Sequence, residues 1–236
     1  MGNRFTSTTR ETGAGLTENN PLTVIIPVAG MGYRMKSYGP KCLLKANQQQ
    51  TILQKTIKNI ESEYPFSDII VVAGFEADKI INALPHKIRV VENQNYEDTN
   101  IVESIRLGIN ASKHENALII YGDLIFNVYS IRKVTREGTC VVVDSKSRFK
   151  EEEIGVTIAQ GHATVFAYGL EDKWSQIAFF QKQDFLELKK LCSDKKKNKL
   201  YPFEIFNIMI ANGCKIKAIE PKGMLIKEID SLKDLG

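Results

Sequence analysis

Between Leu22 and Ile60 the chain carries Arg34, Lys36, Lys41, Lys45, Lys55 and Lys58 and no Asp or Glu at all. Within this stretch Ala29-Gly30-Met31-Gly32-Tyr33-Arg34 runs on to Gly39-Pro40-Lys41. Closely spaced glycines let successive backbone N–H groups turn toward one point, a concavity that suits phosphate oxygens. Arg34 and Lys41 add fixed positive charge, so the loop is built to hold a polyanion. Far along the chain, Asp123 and Asp230 each end an apolar run, ALIIYGD and MLIKEID. Carboxyl ends of strands are where open α/β sheets bind ligands. A hard cation such as Mg²⁺ takes carboxylate and triphosphate oxygens together. Read alone, either aspartate serves equally well as a turn or helix cap.

Three phosphate-binding patterns compete for the glycine loop. A dinucleotide loop needs G-x-G-x-x-G and an acid about 20 positions on; here Met35 takes the third glycine's place and the first acid is Glu61. A P-loop needs G-x-x-x-x-G-K-[ST], and neither Gly30 nor Gly32 has a partner at that spacing. The third pattern is G-x-G-x-R-M followed by P-K, carried by Gly30, Gly32, Arg34, Met35, Pro40 and Lys41. It resembles the signature of the sugar-1-phosphate nucleotidylyltransferases and their phosphocholine cytidylyltransferase-like relatives, a MobA-like NTP transferase fold. Tyr33 departs from it, since a small hydroxyl residue is usual there. The plain alternative is a glycine turn after a buried strand, with solvated cations.

The resemblance extends over nearly everything from Leu22 onward. It implies that Gly122-Asp123 and Glu228-Ile229-Asp230-Ser231-Leu232-Lys233-Asp234-Leu235 supply two aspartates, Asp123 and Asp230, that hold Mg²⁺. It implies that Ala29, Gly30, Met31, Gly32, Tyr33, Arg34 and Lys41 hold the nucleotide, with Arg34, Lys41, Asp123 and Asp230 as the catalytic set. The segment before residue 105 lacks the Gly-Thr loop of the common sugar enzymes. Its Thr99-Asn100 followed by Ser104 is similar to the cytidylyltransferase-like branch instead. Thr99, Asn100 and Ser104 offer donors and acceptors to a base edge, while Asp98 or Thr99 could equally cap a helix. Relatives place a second-half lysine on the acceptor phosphate, and Lys173 is the nearest candidate here. Tyr168, Trp174, Tyr201 and Phe203 either line an acceptor pocket or pack as core, and core is the plainer reading.

The elements that must position these residues follow from periodicity. Val24 to Val28, Asp68 to Ala73, Ile88 to Val91 and Ala117 to Tyr121 read as buried strands. Helices alternate with them, carried by Ile52, Leu53, Ile57 and Ile60, then Ala77 to Leu84, then Ile101, Val102, Ile105 and Ile109. Strict alternation argues for an α/β fold with a mostly parallel central sheet covered on both faces, and the resemblance implies a three-layer α/β/α Rossmann-like nucleotidyltransferase arrangement. The second half is mixed: a strand at Cys140 to Val143 and a charged loop from Ser145 to Glu153. A hairpin from Val156 to Tyr168 turns at Gly161-His162, and a strand covers Ile177 to Phe180. A helix with Phe185, Leu186 and Leu188, a solvated basic turn at Lys195 to Lys199, a helix from Pro202 to Ala211 and two last strands (Cys214 to Ile219, Met224 to Ile229) complete it. The expected organisation is a flexible tail over 1–20 and one domain over 21–236. Its nucleotide-binding half is 21–130 and its acceptor-binding half 131–236.

At 236 residues, with 43% hydrophobic and 25% charged residues, the chain has an ordinary globular composition. A net charge of +4 calls for no extended nucleic-acid surface. No apolar run approaches the ~20 residues of a membrane helix. The four scattered cysteines and the lack of a signal peptide point to a reduced cytoplasm. Met1-Gly2-Asn3-Arg4-Phe5-Thr6 matches the myristoylation pattern, a short and common one. The expected partners are an NTP, CTP ranked first, and a phosphorylated small-molecule acceptor, with neither nucleic acid nor membrane. Two other classes remain open: a nucleotide-binding regulatory protein with little turnover, favoured by Tyr33, and a nucleotide-sugar-dependent glycosyltransferase. The latter usually holds metal with Asp-x-Asp, and Gly122-Asp123-Leu124 has one carboxylate.

Overall fold

The structure, a computed structural model, describes residues 22–32, 38–146 and 153–235. Tyr33, Arg34, Met35, the acylation-like start, the 1–20 tail and most of the charged loop after Ser145 lie outside the described residues. Strand β1 (Thr23–Pro27) pairs in parallel with β2 (Asp68–Ala73) and with β4 (Asn116–Ile120), and β3 (Arg89–Glu92) extends the sheet beyond β2. Every residue of β1 is buried, because both faces of the strand are covered and alternate residues enter opposite cores. Val24 and Ile26 pack with α1 (Ile52–Glu63) and α2 (Ala77–Ala83). Ile25 packs on the other face with α3 (Ile101–Ala111). A capping box starts α1: Thr51 Oγ1 accepts from the Gln54 N–H at 3.2 Å, and Gln54 Oε1 accepts from the Thr51 N–H at 3.0 Å.

Five more strands and two more helices carry the sheet into the second half. These are β6 (Cys140–Asp144), β7 (Ile154–Ala159), β8 (His162–Tyr168), β9 (Asp172–Gln181) and β10 (Lys217–Ile219), with α4 (Lys182–Ser193) and α5 (Pro202–Ala211). One nine-stranded sheet results, in the order β3-β2-β1-β4-β9-β6-β10-β8-β7. Helices α4 and α5 lie on the α3 face through Phe185, Leu188, Ile205, Phe206 and Met209, so the sheet has helices on both sides.

The expectation of a mostly parallel sheet does not hold. The order is parallel from β3 to β4, but β9 enters antiparallel between β4 and β6, and β7–β8 and β8–β10 are antiparallel as well. Parallel neighbours need a crossover element between them, which α1, α2 and α3 supply in the first half. In the second half β7 and β8 are joined by a tight turn at Gln160 (φ 51°) and Gly161 (φ 76°), one residue earlier than the sequence indicated. Such a turn allows only antiparallel pairing. The two final strands are also shorter than expected.

A small antiparallel ribbon brings the segment after β4 beside the last strand. β5 (Leu124–Phe126) pairs with β11 (Ile226–Glu228), with Glu228 opposite Leu124. The Ile229 N–H then donates to the Asp123 carbonyl at 2.9 Å. At three residues β5 is too short to show a hydrophobic period, and the sequence reading passed over it. No helix among the described residues is long and apolar enough to cross a membrane.

Candidate active site

Asp123 follows β4 through Gly122, and no other residue fits there: a Cβ on Gly122 would lie 2.1 Å from Val28 Cγ1. That close approach presses the end of β4 against the end of β1, where the glycine loop begins. Across the loop, Lys41 opens a 3-10 turn (Lys41–Leu43) entered through Pro40. Its Nζ lies 3.1 Å from Asp230 Oδ1 and 3.7 Å from Asp123 Oδ2. Gly32, at φ +52°, rests on the aliphatic stem of Lys41, where an added Cβ would come within 3.3 Å of Cγ. The loop, the lysine and both aspartates are therefore one assembly.

Asp230 is fixed by its own turn. Asp234 Oδ2 accepts from the N–H groups of Asp230 (3.0 Å) and Ser231 (2.7 Å) and from the Ser231 hydroxyl (3.0 Å). Two positions before Asp230, Glu228 joins the group: oxygens of Asp123, Glu228 and Asp230 all lie within 4.8 Å of one another. Glu228 was missed as a site residue. Its signal was available in the i, i+2 spacing with Asp230 along an extended segment, which sends alternate side chains to one side.

Two of these acids carry buried oxygens without a hydrogen-bond partner, Asp123 Oδ1 and Glu228 Oε2. Burial pushes the Asp123 carboxyl up, opposed by the Lys41 ammonium and reinforced by Asp230. Burial also pushes Glu228 up, with the Asp123 charge adding to it. The Tyr121 phenol between them is raised well above its usual range by burial and then by both carboxylates. Clustered acid oxygens with unmet demand are a donor set that fits a hard divalent cation.

The loop that leads into α3 is tied differently. Asn93, at the end of β3, is buried and donates through Nδ2 to Ser104 Oγ (3.2 Å) and Thr99 Oγ1 (3.3 Å). Its Oδ1 accepts from the Asn95 N–H at 3.1 Å. Thr99 in turn donates its proton to the Asn95 carbonyl at 2.7 Å. Asn100 caps α3 through Oδ1 and reaches the Lys199 carbonyl with Nδ2. Asn93 was not singled out from the sequence, since nothing in its neighbours' types marks it as a hub.

Two adjoining clefts frame the assembly. One, of about 490 Å³, is lined by Ala29, Gly30, Gly32, Lys41, Asn93, Thr99, Asn100, Ser104 and Asp123. The other, of about 470 Å³, is lined by Glu153, Tyr168, Trp174, Phe203, Glu228 and Asp230, and shares Gly32, Lys41, Tyr121 and Tyr201 with the first. Of the residues chosen from sequence, Met31 does not line either cleft, and Tyr33 and Arg34 lie outside the described residues. The aromatic set splits. Trp174 is core, edge-on to Tyr121, Phe166 and Phe206. Tyr168 and Tyr201 are 54% and 48% exposed, contrary to the core reading, and both pack on Phe203 at the cleft's mouth. Lys173 is paired with acids, its Nζ 2.6 Å from Glu153 Oε1 and 3.5 Å from Glu228 Oε2.

The architecture has close counterparts. The inositol-1-phosphate CTP transferase of T. maritima superimposes with a TM-score of 0.75 at 18% identity, covering 91% of each chain. The CTP:phosphocholine cytidylyltransferase of Streptococcus pneumoniae gives 0.74 at 18% identity, covering 90% of this chain and 95% of that one. At such identities the likeness is one of fold. In sequence, the bifunctional protein GlmU of Lactococcus lactis subsp. cremoris is 23% identical over 211 residues, 82% of this chain and 46% of that protein. The chain thus spans about half the length of the curated relatives it matches. The family model of the MobA-like NTP transferase domain matches residues 24–204, a span that holds the glycine loop, Lys41, the loop that leads into α3 and Asp123, and the chain belongs to that family.

Proposed function

We propose that the chain transfers a nucleotidyl group from an NTP to a phosphorylated small molecule and releases pyrophosphate. One observation carries the reading: the Lys41 ammonium lies between Asp123 and Asp230 at the point where the two clefts meet. The first cleft, largely from the 21–130 half with Tyr201 added, takes the nucleotide, with its triphosphate along the Ala29–Gly32 backbone and Arg34. The second, largely from the 131–236 half, takes the acceptor, its phosphate toward Lys41.

The chemistry asks little covalent work of the protein. An acceptor phosphate oxygen is already anionic and attacks the α-phosphorus in line with the departing pyrophosphate. Catalysis is then positioning and neutralisation of charge. Lys41 follows the charge that grows on the α-phosphate oxygens. Asp123, Asp230 and Glu228 would hold Mg²⁺, which supplies Lewis-acid stabilisation to phosphoryl oxygens when bound. Asp234 keeps Asp230 aimed at the junction.

CTP ranks first as donor. The Thr99-Asn100 and Ser104 pattern supports this. The acceptor cleft has aromatic rings at its mouth and acids on its walls. That chemistry favours a body carrying positive charge, as in a phosphocholine-like compound, over a neutral sugar 1-phosphate. Pyrophosphate release from each of four NTPs, with Mg²⁺ and a panel of sugar phosphates and phosphocholine-like acceptors, tests the proposal. Acceptor-dependent release with CTP is expected. No release with any pair overturns the transferase reading.

A further inference from the structure

We infer that Tyr201 is a positioning residue shared by the two clefts: a nucleotide packed on its ring fixes the wall against which the acceptor then binds. The inference rests on the assignment of the clefts made above. Its consequence is positive coupling between the two substrates.

Four residues line both clefts, Gly32, Lys41, Tyr121 and Tyr201. Three of them are already fixed or have nothing to move. Gly32 has no side chain, the Lys41 ammonium is held by Asp230 and Asp123, and the Tyr121 ring lies edge-on to buried Trp174 at 5.6 Å. Tyr201 is different, with about half its surface exposed. Among the described residues its ring meets one other ring, that of Phe203, stacked at 5.9 Å and 17°.

The main chain of Tyr201, by contrast, is held. Its N–H donates to Glu204 Oε2 at 2.7 Å and its carbonyl accepts from the Glu204 N–H at 3.0 Å, which caps the start of α5. The segment before it is tied to the first cleft, because the Asn198 carbonyl accepts from the N–H of Asn100, a residue of that cleft, at 2.9 Å. After it, Phe203 stands edge-on to Tyr168 at 5.7 Å, and these two rings line only the second of the two clefts. Tyr201 is thus the member of this aromatic row that reaches both clefts, with a ring free to settle on a fixed backbone.

Holding such a ring in one orientation costs conformational freedom. Whichever substrate binds first bears that cost, and the second meets a ring already placed. The difference corresponds to about a threefold to tenfold gain in affinity. Linkage requires the same factor in both directions, so the acceptor tightens the nucleotide as much as the nucleotide tightens the acceptor. Tyr168 cannot couple the substrates, since it meets the acceptor alone.

Calorimetry with Mg²⁺, phosphocholine and a CTP analogue tests this. The analogue carries a methylene bridge between its α- and β-phosphates, so no transfer occurs. Each Kd is measured with and without the other ligand in wild type, Tyr201→Ala, Tyr201→Phe and Tyr168→Ala, and melting curves establish that each is folded. In wild type each ligand should lower the Kd of the other about threefold to tenfold. Tyr201→Ala should bring that ratio close to one, and Tyr201→Phe should keep it, because the ring carries the effect. Tyr168→Ala should weaken phosphocholine and leave the ratio as it was. Tyr201→Leu, which keeps bulk without a ring, decides the matter if the alanine variant does not fold. A ratio of one in wild type overturns the inference, as does an undiminished ratio in Tyr201→Ala or an equal loss in Tyr168→Ala. Phosphocholine that binds in neither condition overturns it too, and in all these cases pyrophosphate release with any acceptor leaves the transferase reading standing. A wild type that binds neither probe and releases no pyrophosphate overturns both.

Discussion

The two walls of the site are finished to different degrees. On the base side, Asn93, Asn95, Thr99 and Asn100 are bonded to one another or to backbone before any ligand arrives. Along the second cleft and at its junction with the first, buried oxygens of Glu228, Gln176 and Asp123 lack hydrogen-bond partners, and Tyr168 and Tyr201 stand half exposed. Gln176 also sits at φ 58°, a left-handed conformation that costs a non-glycine residue free energy and clusters at functional sites. A satisfied network reads shape and polarity at no cost in rearrangement. An unsatisfied acidic cluster attracts whatever cation can enter, and Lys41 is the cation already there. Under the proposed function this difference separates selection from reaction, and substitutions should respect that division.

The largest effect is expected at the acidic junction. Asp123→Asn is nearly isosteric and should lower turnover at least about 100-fold while CTP still binds; near-normal activity in Mg²⁺ would erase the contrast between the walls. Lys41→Met should reduce kcat more than it weakens nucleotide affinity, because its charge meets charge that develops during reaction. Separate measurement of kcat and Kd decides this, and an affinity loss with unchanged kcat contradicts it.

Glu228→Gln sharpens the comparison in a different quantity. Mg²⁺ affinity, read by calorimetry, should fall about tenfold or more, as losses around metal sites do. Without metal the variant should melt higher than wild type at neutral pH. The sign follows from the raised carboxyl of Glu228, whose ionised form the folded state disfavours. That group stabilises the fold when protonated and loses this contribution as pH rises through its raised value. The melting advantage of Glu228→Gln should therefore shrink on acidification. The smallest effect belongs to Tyr168→Ala, expected to raise acceptor KM about 2–5-fold for a cationic acceptor and to leave NTP binding alone.

Much of this was legible in the chain. The run from Val24 to Val28, the glycine loop and Lys41 declared a buried strand feeding a phosphate-like cradle, and β1 is buried throughout. Asp123 and Asp230 could be matched to each other because each closes an apolar strand. Glu228 escaped although its strand was read, because its i, i+2 relation to Asp230 was not used and its neighbour β5 is three residues, too short for periodicity to announce it. The antiparallel insertion of β9 escaped because strand direction is set by partners distant in sequence, not by local pattern. Asn93 escaped for a related reason: a hydrogen-bond hub is defined by geometry, and an asparagine after a strand looks like any turn residue. Tyr168 and Tyr201 were read inward because aromatic residues usually are, yet their hydroxyl-bearing rings tolerate a half-open cleft.

The central claim is that a nucleotidyl group passes across the Lys41–Asp123–Asp230 junction to an acceptor phosphate. A single-turnover reaction with CTP labelled in the α-phosphate, Mg²⁺ and phosphocholine follows that group directly. The expected result is label in a CDP-linked product, with one pyrophosphate formed for each. Label recovered as free cytidine mono- or diphosphate, or pyrophosphate formed without an acceptor-linked product, would contradict it.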